Sequence, residues 1–496
     1  MWNGSFFQRT TLHDLGLRVQ LGHALGHPCP TRLSANISFR VIHSNGIHQV
    51  AVDQCRCHNV PFYKQLLRIG WWPATPLDPR SAATFEVLRH FHILNLQGKV
   101  TGYSFYQALA HQTDNTGLNL PSVSSLVLPF MSSSQLKWMK DRLDTFMLMV
   151  RQWRHIKMVK RAGRAYDPKG IAATTPGSLA ILCRACPLPH VNLPEGWENA
   201  PPERACVSDC FIFLILLLIP SCSWLYMLTV AMDANFRLKS RLWGTGTIDK
   251  ELTLGMGWSY FVDNAPYSEF IKGYVDENEV RMNNWFIEAD LLTAGKDYNL
   301  CWFSGAPQYA HQEVERASCN WYGSCQLRSS PTISTIRHGR FAKGRAVSPS
   351  LHLICLSLKD CFRQCNMDYL FTSSIAGVGL RLITISYDVG CQWFTNFWQR
   401  VPFLPDVLTT LLPLMSIRAL VPKFHLQSHN EACHSAFSFN FFKGGARTDG
   451  EGVEWNWDEL NGQGPSTSEM LPGARWDTLD DCSAWVNWRK TMGLGA

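Results

Sequence analysis

The stretch Leu380-Arg-Leu-Ile-Thr-Ile-Ser-Tyr-Asp-Val-Gly-Cys391 sets the fold class of this chain. Its aliphatic and β-branched residues predict a strand over Leu380–Tyr387, which delivers Asp388 to the edge of a sheet. A second apolar run, Leu225–Met232, ends in the same way at Asp233. With the helical patterns elsewhere, these strands predict a mixed α/β (α+β) fold with acidic side chains at a sheet edge.

Two further acids, Glu451 and Glu454, follow Gly450 on a predicted helix. Two strand-end aspartates and a helical glutamate can hold Mg²⁺ ions, which prefer a few carboxylates plus water and substrate phosphate. Two such ions about 4 Å apart can clamp the attacking and leaving oxygens of a phosphodiester. The alternative, unrelated surface carboxylates, stays open, because the 39 acidic residues of the chain provide many such sets.

The segment Lys423-Phe-His-Leu-Gln-Ser-His-Asn-Glu-Ala-Cys433 carries potential metal ligands at every fourth position. On a single helix, His425, His429 and Cys433 would share one face and suit zinc, with Cys391 as a fourth ligand. The segment lacks the glutamate of an HExxH protease motif. A structural zinc site, or a hydrogen-bonded helix face, is therefore favoured over a catalytic zinc site.

Two other cysteine pairs have spacings that occur in zinc sites. Cys55 and Cys57 stand in Cys-Arg-Cys-His, near Cys29, and Cys183 and Cys186 form a CxxC pair. A zinc site needs four ligands, and each pair is equally compatible with ordinary thiols. The first pair has few further ligands close to it in the sequence.

Apolar periodicity predicts helices over Ser81–Gln97, Gln135–Arg164 and Asp477–Lys490. Ser81 is the predicted N-cap of the first helix. The basic second half of the second helix suits the helix dipole and could also grip phosphates. The third helix would carry aspartates in its positively charged first turn. Short strands are predicted over Ser38–His43 and His48–Val52.

Composition excludes several classes of protein. With 46% hydrophobic residues among 496, the chain is not intrinsically disordered. Met1–Arg9 has no secretory pattern, so the 17 cysteines indicate thiols or metal ligands rather than disulfides. The apolar run Phe211–Ile219 ends at Pro220 and falls short of the about 20 residues of a membrane span. The net charge of +7 permits nucleic-acid binding without demonstrating it.

Many stretches, in order along the chain, follow one family pattern. They are Trp2-Asn-Gly-Ser-Phe-Phe7, Leu17-Arg-Val-Gln-Leu-Gly-His23, Asn45-Gly-Ile-His48, Cys55-Arg-Cys57, Ala82-Ala-Thr-Phe85, Asn192-Leu-Pro-Glu-Gly-Trp197, Asp233-Ala-Asn-Phe-Arg-Leu-Lys239, Asn366-Met-Asp-Tyr369, Tyr387-Asp-Val-Gly-Cys-Gln-Trp393, Lys423 to Cys433, Arg447-Thr-Asp-Gly-Glu-Gly-Val-Glu454 and Asp477-Thr-Leu-Asp-Asp481. In this order they resemble the KDZ (Kyakuja–Dileera–Zisupton) transposases of fungal genomes. The front end resembles the CxC2-like cysteine-cluster domain that accompanies them.

The resemblance implies a ribonuclease-H-like DDE core with helical insertions, acting on DNA in the nucleus with Mg²⁺. By it, Asp233 and Asp388 correspond to the two metal-binding aspartates, with Glu454 as the preferred third acid and Glu451 close behind. The family's Cys/His positions in the core, which look structural, correspond to Cys391, His425, His429 and Cys433. We also expect structural zinc. We expect no small-molecule substrate and no membrane association, and we expect the protein to form a homo-oligomer.

The implied domains are a CxC2-like module over 1–118, a helical and Pro/Gly-rich linker with the CxxC pair over 119–204, and a transposase core over 224–496. Several departures from the family pattern indicate a degenerate copy. The family's cysteine cluster begins upstream of Trp2, so the zinc site of the module is expected to be incomplete. Residues 205–223 interrupt the pattern, and it is lost again over about 300–365. The enzyme is therefore expected to be inactive or decayed, and the alternative is a non-catalytic protein that binds DNA or chromatin.

Overall fold

The computed structural model describes residues 10–35, 39–114, 143–199, 226–233, 257–273, 364–442 and 448–495, together with short pieces between these ranges. The chain contains two compact units, Met1–Lys157 and Met158–Ala496. Both combine helices with sheets, and the fold class is mixed α/β, as predicted.

The N-terminal unit has seven described strands in two small sheets. The strands are β1 (Arg18–Gln20), β2 (Arg32–Ser34), β3 (Arg40–His43), β4 (Gly46–Gln49), β5 (Ala51–Cys55), β6 (Trp71–Pro73) and β7 (Ser81–Thr84). They are ordered β1-β5-β2 and β4-β3-β7-β6. The strand predicted over His48–Val52 is divided at Val50, because the chain leaves one sheet there and enters the other.

The helices of this unit are Phe62–Arg68, Phe85–Gly98, Gly102–Thr113 and the helix Leu143–Arg161 as far as Lys157, where the unit ends. The helix predicted from Ser81 begins only at Phe85, since Ser81–Thr84 forms strand β7 between β3 and β6. The Thr84 hydroxyl then accepts a hydrogen bond from the backbone N–H of Val87 and caps the helix. The predicted helix start at Gln135 lies outside the described residues.

The C-terminal unit is built on a four-stranded sheet of order β11-β8-β12-β13. The strands of this unit are β8 (Leu228–Ala231), β9 (Ser240–Arg241), β10 (Ala317–Ser318), β11 (Gln326–Arg328), β12 (Leu382–Ser386) and β13 (Ser416–Leu420). Strands β8, β12 and β13 are parallel, and β11 is antiparallel to β8. The strands predicted before Asp233 and Asp388 are confirmed with shorter bounds. Their side chains are mostly buried, as is typical of parallel strands.

Helices surround this sheet. Their bounds are Asn264–Gly273, Gln364–Ile375, Gly390–Trp393, Phe397–Arg400, Asp406–Thr409, Lys423–Leu426, Glu431–Ala436, Gly452–Asn461, Gly464–Thr467 and Pro472–Met492. The last helix begins at Pro472, so the prediction that its aspartates lie in the first turn is wrong. Asp477 and Asp480 are instead buried and accept hydrogen bonds from the backbone N–H groups of Leu254 and Tyr260.

Within the described part of the chain, no helix combines the length and the apolar character needed to cross a membrane. The apolar run Phe211–Ile219 lies outside the described residues.

Candidate metal and DNA-processing sites

The ends of two neighbouring parallel strands bring Asp233 and Asp388 to the same sheet edge. Ser386 of β12 pairs with Ala231 of β8, and the backbone N–H of Met232 donates to the Ser386 carbonyl at 2.9 Å. Asp233 and Asp388 each come two residues after this last pair, where the two strands have ended. Adjacent strands lie about 4.8 Å apart, so both aspartates are presented at one edge of the sheet.

Asp388 is buried and lies against His425. The Nδ1 atom of His425 is 3.4 Å from Asp388 Oδ2, and its Nε2 atom is 3.8 Å from Glu451 Oε2. The other oxygen of Glu451 accepts a hydrogen bond of 3.0 Å from the backbone N–H of Phe424. One imidazole therefore links two of the predicted catalytic acids. We call Asp233, Asp388, His425 and Glu451 the strand-end site.

Gly450 allows Glu451 to approach the end of β12. Its φ of +89° is unfavourable for other residues, and a Cβ there would lie 2.4 Å from Ser386 Oγ and 2.9 Å from the Pro422 backbone. The Ser386 hydroxyl donates to the Gly450 carbonyl at 3.0 Å. Glu451 therefore precedes the helix Gly452–Asn461 at a fixed position. Glu454 belongs to that helix, and its side chain lies outside those that the structure describes.

Tyr387 directly follows β12, precedes Asp388 and lies close to negatively charged side chains. Burial raises the pKa of its hydroxyl well above the usual range, and the nearby charges of Asp233, Asp388 and Asp368 raise it further. Several carboxylates therefore act on one buried position. The charge of Asp368 is paired with Arg400, so the charges that favour a cation at this edge are those of Asp233 and Asp388.

A buried ion pair supports the segment that follows Asp388. Asp368 accepts two hydrogen bonds from the Arg400 guanidinium, at 2.6 and 2.9 Å, and one of 2.7 Å from the Trp393 indole. Arg400 also donates to the Trp393 carbonyl at 2.9 Å. Because Trp393 ends the helix Gly390–Trp393, this network anchors the chain just beyond the strand-end site.

The prediction of one helix carrying His425, His429 and Cys433 is wrong. Two short helices, Lys423–Leu426 and Glu431–Ala436, replace it, because Asn430 caps the second one by accepting a hydrogen bond from Cys433 N–H. The preference of asparagine for N-cap positions was the sequence signal for this break.

The break separates the roles of the histidines. His425 faces the acids, whereas the ligand atoms of Cys391, His429 and Cys433 lie within 4.8 Å of one another. We call these three residues the core Cys/His group, and they can hold a metal ion such as zinc.

Four side chains of the N-terminal unit form a second group. The ligand atoms of His23, Cys29, Cys55 and Cys57 lie within 4.8 Å of one another, and we call them the N-terminal Cys/His group. His23 Nε2 is 3.2 Å from Cys55 Sγ, and the sulfurs of Cys29 and Cys57 are 3.5 Å apart. Three cysteines and one histidine are a complete donor set for tetrahedral zinc.

The fold supplies His23 and Cys29 as partners of Cys55 and Cys57, so four potential ligands meet among the described residues. The φ of Gly22 is +80°, and a Cβ there would lie 2.6 Å from Cys55 Cβ, so glycine permits this approach. A hydrogen bond with the Thr31 hydroxyl, and others with Cys29 and His23, lower the pKa of the Cys57 thiol to about 6. The thiolate is the form that binds metal.

Cys183 and Cys186 lie together, fully buried in the apolar core of the C-terminal unit. Burial raises the pKa of the Cys186 thiol well above its usual range, and its hydrogen bond with Cys183 acts in the same direction. In the part of the chain that the structure describes, no third Cys, His, Asp or Glu joins them in a metal-binding group. A metal-binding role for this pair stays a prediction.

The N-terminal Cys/His group gives a direct test. We expect His23→Ala to lower the zinc content of the purified chain by about one ion per chain, because a structural site requires four ligands. His58→Ala is the matched control, since His58 is adjacent to Cys57 but outside the group. Equal zinc content of the two variants, measured by elemental analysis, would contradict the ligand set.

Two family models match this chain, one at each of its two ends. A model described as CxC2 like cysteine cluster associated with KDZ transposases matches residues 12–117, which include the N-terminal Cys/His group. The model of the Kyakuja-Dileera-Zisupton transposase matches residues 226–487, more than half of the 496-residue chain. No curated protein and no solved structure matches. The chain, with its strand-end aspartates and its cysteine cluster, therefore belongs to the KDZ transposase family.

Proposed function

We propose that the strand-end site performs metal-dependent cleavage and transfer of DNA strands, as the DDE site of a ribonuclease-H-like transposase core. The observation that carries the proposal is that two neighbouring parallel strands end at the paired residues Ala231 and Ser386, each two residues before an aspartate, Asp233 or Asp388. Glu451, which precedes a helix beyond the third parallel strand, is held near Asp388 through His425. Two strand-end aspartates and a glutamate beside a helix are the arrangement that the family resemblance leads us to expect for a DDE site.

The residues present suit Mg²⁺, which prefers carboxylate oxygens and retains several waters. When bound, Mg²⁺ would lower the pKa of a water or DNA 3′ hydroxyl and stabilise the leaving oxygen. The protein contributes the placement of these acids: Asp233 and Asp388 follow the ends of two paired strands by two residues each, and Gly450 permits the close approach of Glu451. A preorganised set of charges needs no rearrangement during the reaction.

The site favours Glu451 as the third acid over Glu454, the choice from sequence. One oxygen of Glu451 is held by the backbone N–H of Phe424, which directs the other toward His425. His425 lies between the two carboxylates and keeps Glu451 beside Asp388. We assign it as a positioning residue of the strand-end site.

The proposed partner is DNA, the proposed compartment is the nucleus, and strand transfer between two DNA ends favours a homo-oligomer. The net charge of +7 is compatible with a polyanionic partner. The second candidate is a decayed copy that binds DNA or chromatin without cutting it. The interruptions over 205–223 and about 300–365 favour this candidate.

The test is incubation of the full chain with duplex DNA of the transposon ends and Mg²⁺ or Mn²⁺. The proposed activity produces nicked or joined strands that require the metal ion and disappear with EDTA. DNA retention that weakens steeply with salt, without cut products, supports the second candidate. If the chain neither retains nor cuts the DNA, that result contradicts both candidate functions.

Glutamate substitutions identify the third acid. We expect Glu451→Gln to lower the cleavage rate about a hundredfold, because the site loses one negative oxygen while the shape is kept. Asp458→Asn, an exposed change on the following helix, should leave the rate unchanged. The cleavage rates of the two variants, compared at the same Mn²⁺ concentration, measure both effects. Full activity of Glu451→Gln, with loss in Glu454→Gln, would reverse the assignment.

A further inference from the structure

The positive charge of the chain is concentrated in one short stretch. Residues 151–169 hold seven of the 46 Lys and Arg residues and one of the 39 acidic residues, so their net charge is +6, against +7 for the whole chain. The stretch begins in the helix Leu143–Arg161 and continues beyond its end. A local excess of one sign of charge attracts partners of the opposite sign.

Two of these cations have packing roles. Arg154 is 2% exposed, and its guanidinium donates a hydrogen bond of 2.7 Å to Asn95 Oδ1. Lys157 lies over the Trp153 ring, with its Nζ atom 4.8 Å from the ring centroid. The cations after Lys157 are placed differently, because they lie where the helix ends and in the turn that follows.

The side chains at this helix end face solvent. We call its cations and its tyrosine the basic turn: Lys160, Arg161, Arg164, Tyr166 and Lys169. Lys160, Arg161 and Lys169 are exposed, and among the described residues none of the three forms an ion pair with an acid. Tyr166 is 87% exposed. Charge and aromatic surface are therefore both available to a partner.

Hydrogen bonds keep the basic turn compact. Gly163, with a φ of +77°, follows the helix, and its N–H donates to the Lys160 carbonyl at 3.0 Å. One carboxylate oxygen of Asp167 accepts a hydrogen bond of 2.9 Å from the Lys169 N–H. The other lies 3.2 Å from Arg164 Nη1. The backbone thus folds back on itself and keeps the cations close together.

The helix end beneath the basic turn is anchored in the C-terminal unit. Met158 and Val159 are buried in an apolar cluster with Tyr260 and Ala484. Ala484 belongs to the helix Pro472–Met492 of the same unit. The basic turn is therefore supported by the unit that carries the strand-end site.

The helix dipole explains only part of this charge. Lys160 and Arg161 are in the last turn of the helix, where cations interact favourably with its negative end. Arg164 and Lys169 come after the helix has ended, and the exposed Tyr166 stands between them. Lysine, arginine and tyrosine side chains all donate hydrogen bonds to phosphate oxygens. A phosphate-bearing partner accounts for the whole set.

We propose that the basic turn binds the phosphate backbone of duplex DNA and forms part of the surface that holds the substrate of the strand-end site. Its role in holding a substrate rests on the proposed function, whereas its binding of DNA is measured without any cleavage. Phosphates follow one another about every 3.4 Å of helix axis along a strand, so the three exposed cations can contact on the order of three phosphates. Such contacts position DNA without reading its sequence.

The salt dependence of DNA binding by the full chain tests the proposal. In the triple variant Lys160→Gln, Arg161→Gln, Lys169→Gln, we expect the slope of log affinity against log salt concentration to become shallower by about 3, because each lost phosphate contact removes about 0.9. The loss should be equal for transposon-end and random duplexes. Fluorescence anisotropy of a labelled duplex measures the affinity, and an unchanged slope would overturn the proposal.

The matched control is the triple variant Arg184→Gln, Arg381→Gln, Arg418→Gln. It removes three exposed positive charges of the same unit and so changes the net charge by the same amount. Its slope should stay at the wild-type value. If both triple variants lose the same slope, net charge rather than the basic turn governs binding, and the proposal fails.

A second measurement uses the wild-type chain and does not depend on the folding of any variant. Duplex DNA should slow the acetylation of Lys160 and Lys169 by N-hydroxysuccinimide acetate severalfold, because phosphates cover their ammonium groups. Lys64, an exposed lysine of the N-terminal unit, is the internal comparison. Mass spectrometry measures the three rates, and equal protection of the three lysines would reject the basic turn as the DNA surface.

Competition separates DNA from an acidic protein partner. Unlabelled duplex should displace the labelled duplex at a much lower concentration of charge than polyglutamate does. Equal displacement by the two polyanions would overturn the assignment to DNA. If the basic turn binds DNA as proposed but the wild type does not cut, the proposed function fails and the basic turn stands. Cutting by the wild type, with unaltered binding by the Lys160 triple variant, rejects the basic turn alone.

Discussion

Asp388→Asn should reduce metal-dependent DNA cleavage about a thousandfold, equivalent to about 4 kcal/mol of transition-state stabilisation. The substitution keeps the shape of the side chain and removes the charge at the end of β12. Asp388 is also the acid closest to His425, at 3.4 Å, so the change alters the whole strand-end site. The rate of strand cleavage by the full chain with Mn²⁺ is the measurement.

Asp406→Asn is the matched control, since Asp406 is exposed on a separate short helix. Asp233→Asn should cause a loss similar to that of Asp388→Asn, and the double variant should lose little more, because residues acting as a unit are not additive. Thermal unfolding establishes that each variant is folded. A folded Asp388→Asn chain that cuts at the wild-type rate would exclude the DDE assignment.

Arg400→Met should cost about 3–5 kcal/mol of unfolding free energy, because it leaves the charge of Asp368 buried without its partner. Both side chains are almost fully buried, and their two hydrogen bonds are 2.6 and 2.9 Å long. The Trp393 indole also bonds to Asp368, so disruption should spread to the helix that follows Asp388. Denaturant unfolding of the full chain, followed by tryptophan fluorescence, measures the loss.

Arg381→Met provides the comparison, since Arg381 is an exposed arginine next to β12. It should change stability by less than about 0.5 kcal/mol. Adding Asp368→Asn to Arg400→Met should recover part of the loss, because asparagine removes the unpaired charge and still accepts from Trp393. Equal stability of Arg400→Met and Arg381→Met would show that the buried pair does not support the core.

Several features of the fold were accessible from local sequence. The apolar runs before Asp233 and Asp388 predicted the two parallel strands, because a strand buried on both faces must be apolar throughout. Helix starts were less accessible. Pairing in a sheet converted Ser81–Thr84 to a strand, and Pro472 extended the last helix beyond the predicted start at Asp477.

The sequence alone determined the family, the fold class and the two strands that end in aspartate, because these depend on short-range composition and on the order of motifs. Tertiary structure decided which side chains meet. Strand pairing brings His23 and Cys29 to Cys55 and Cys57. The break between the two short helices, before Asn430, leaves His425 beside Asp388 rather than beside Cys433. Contacts between residues far apart in the chain are fixed by sheet register and packing, which no local pattern encodes.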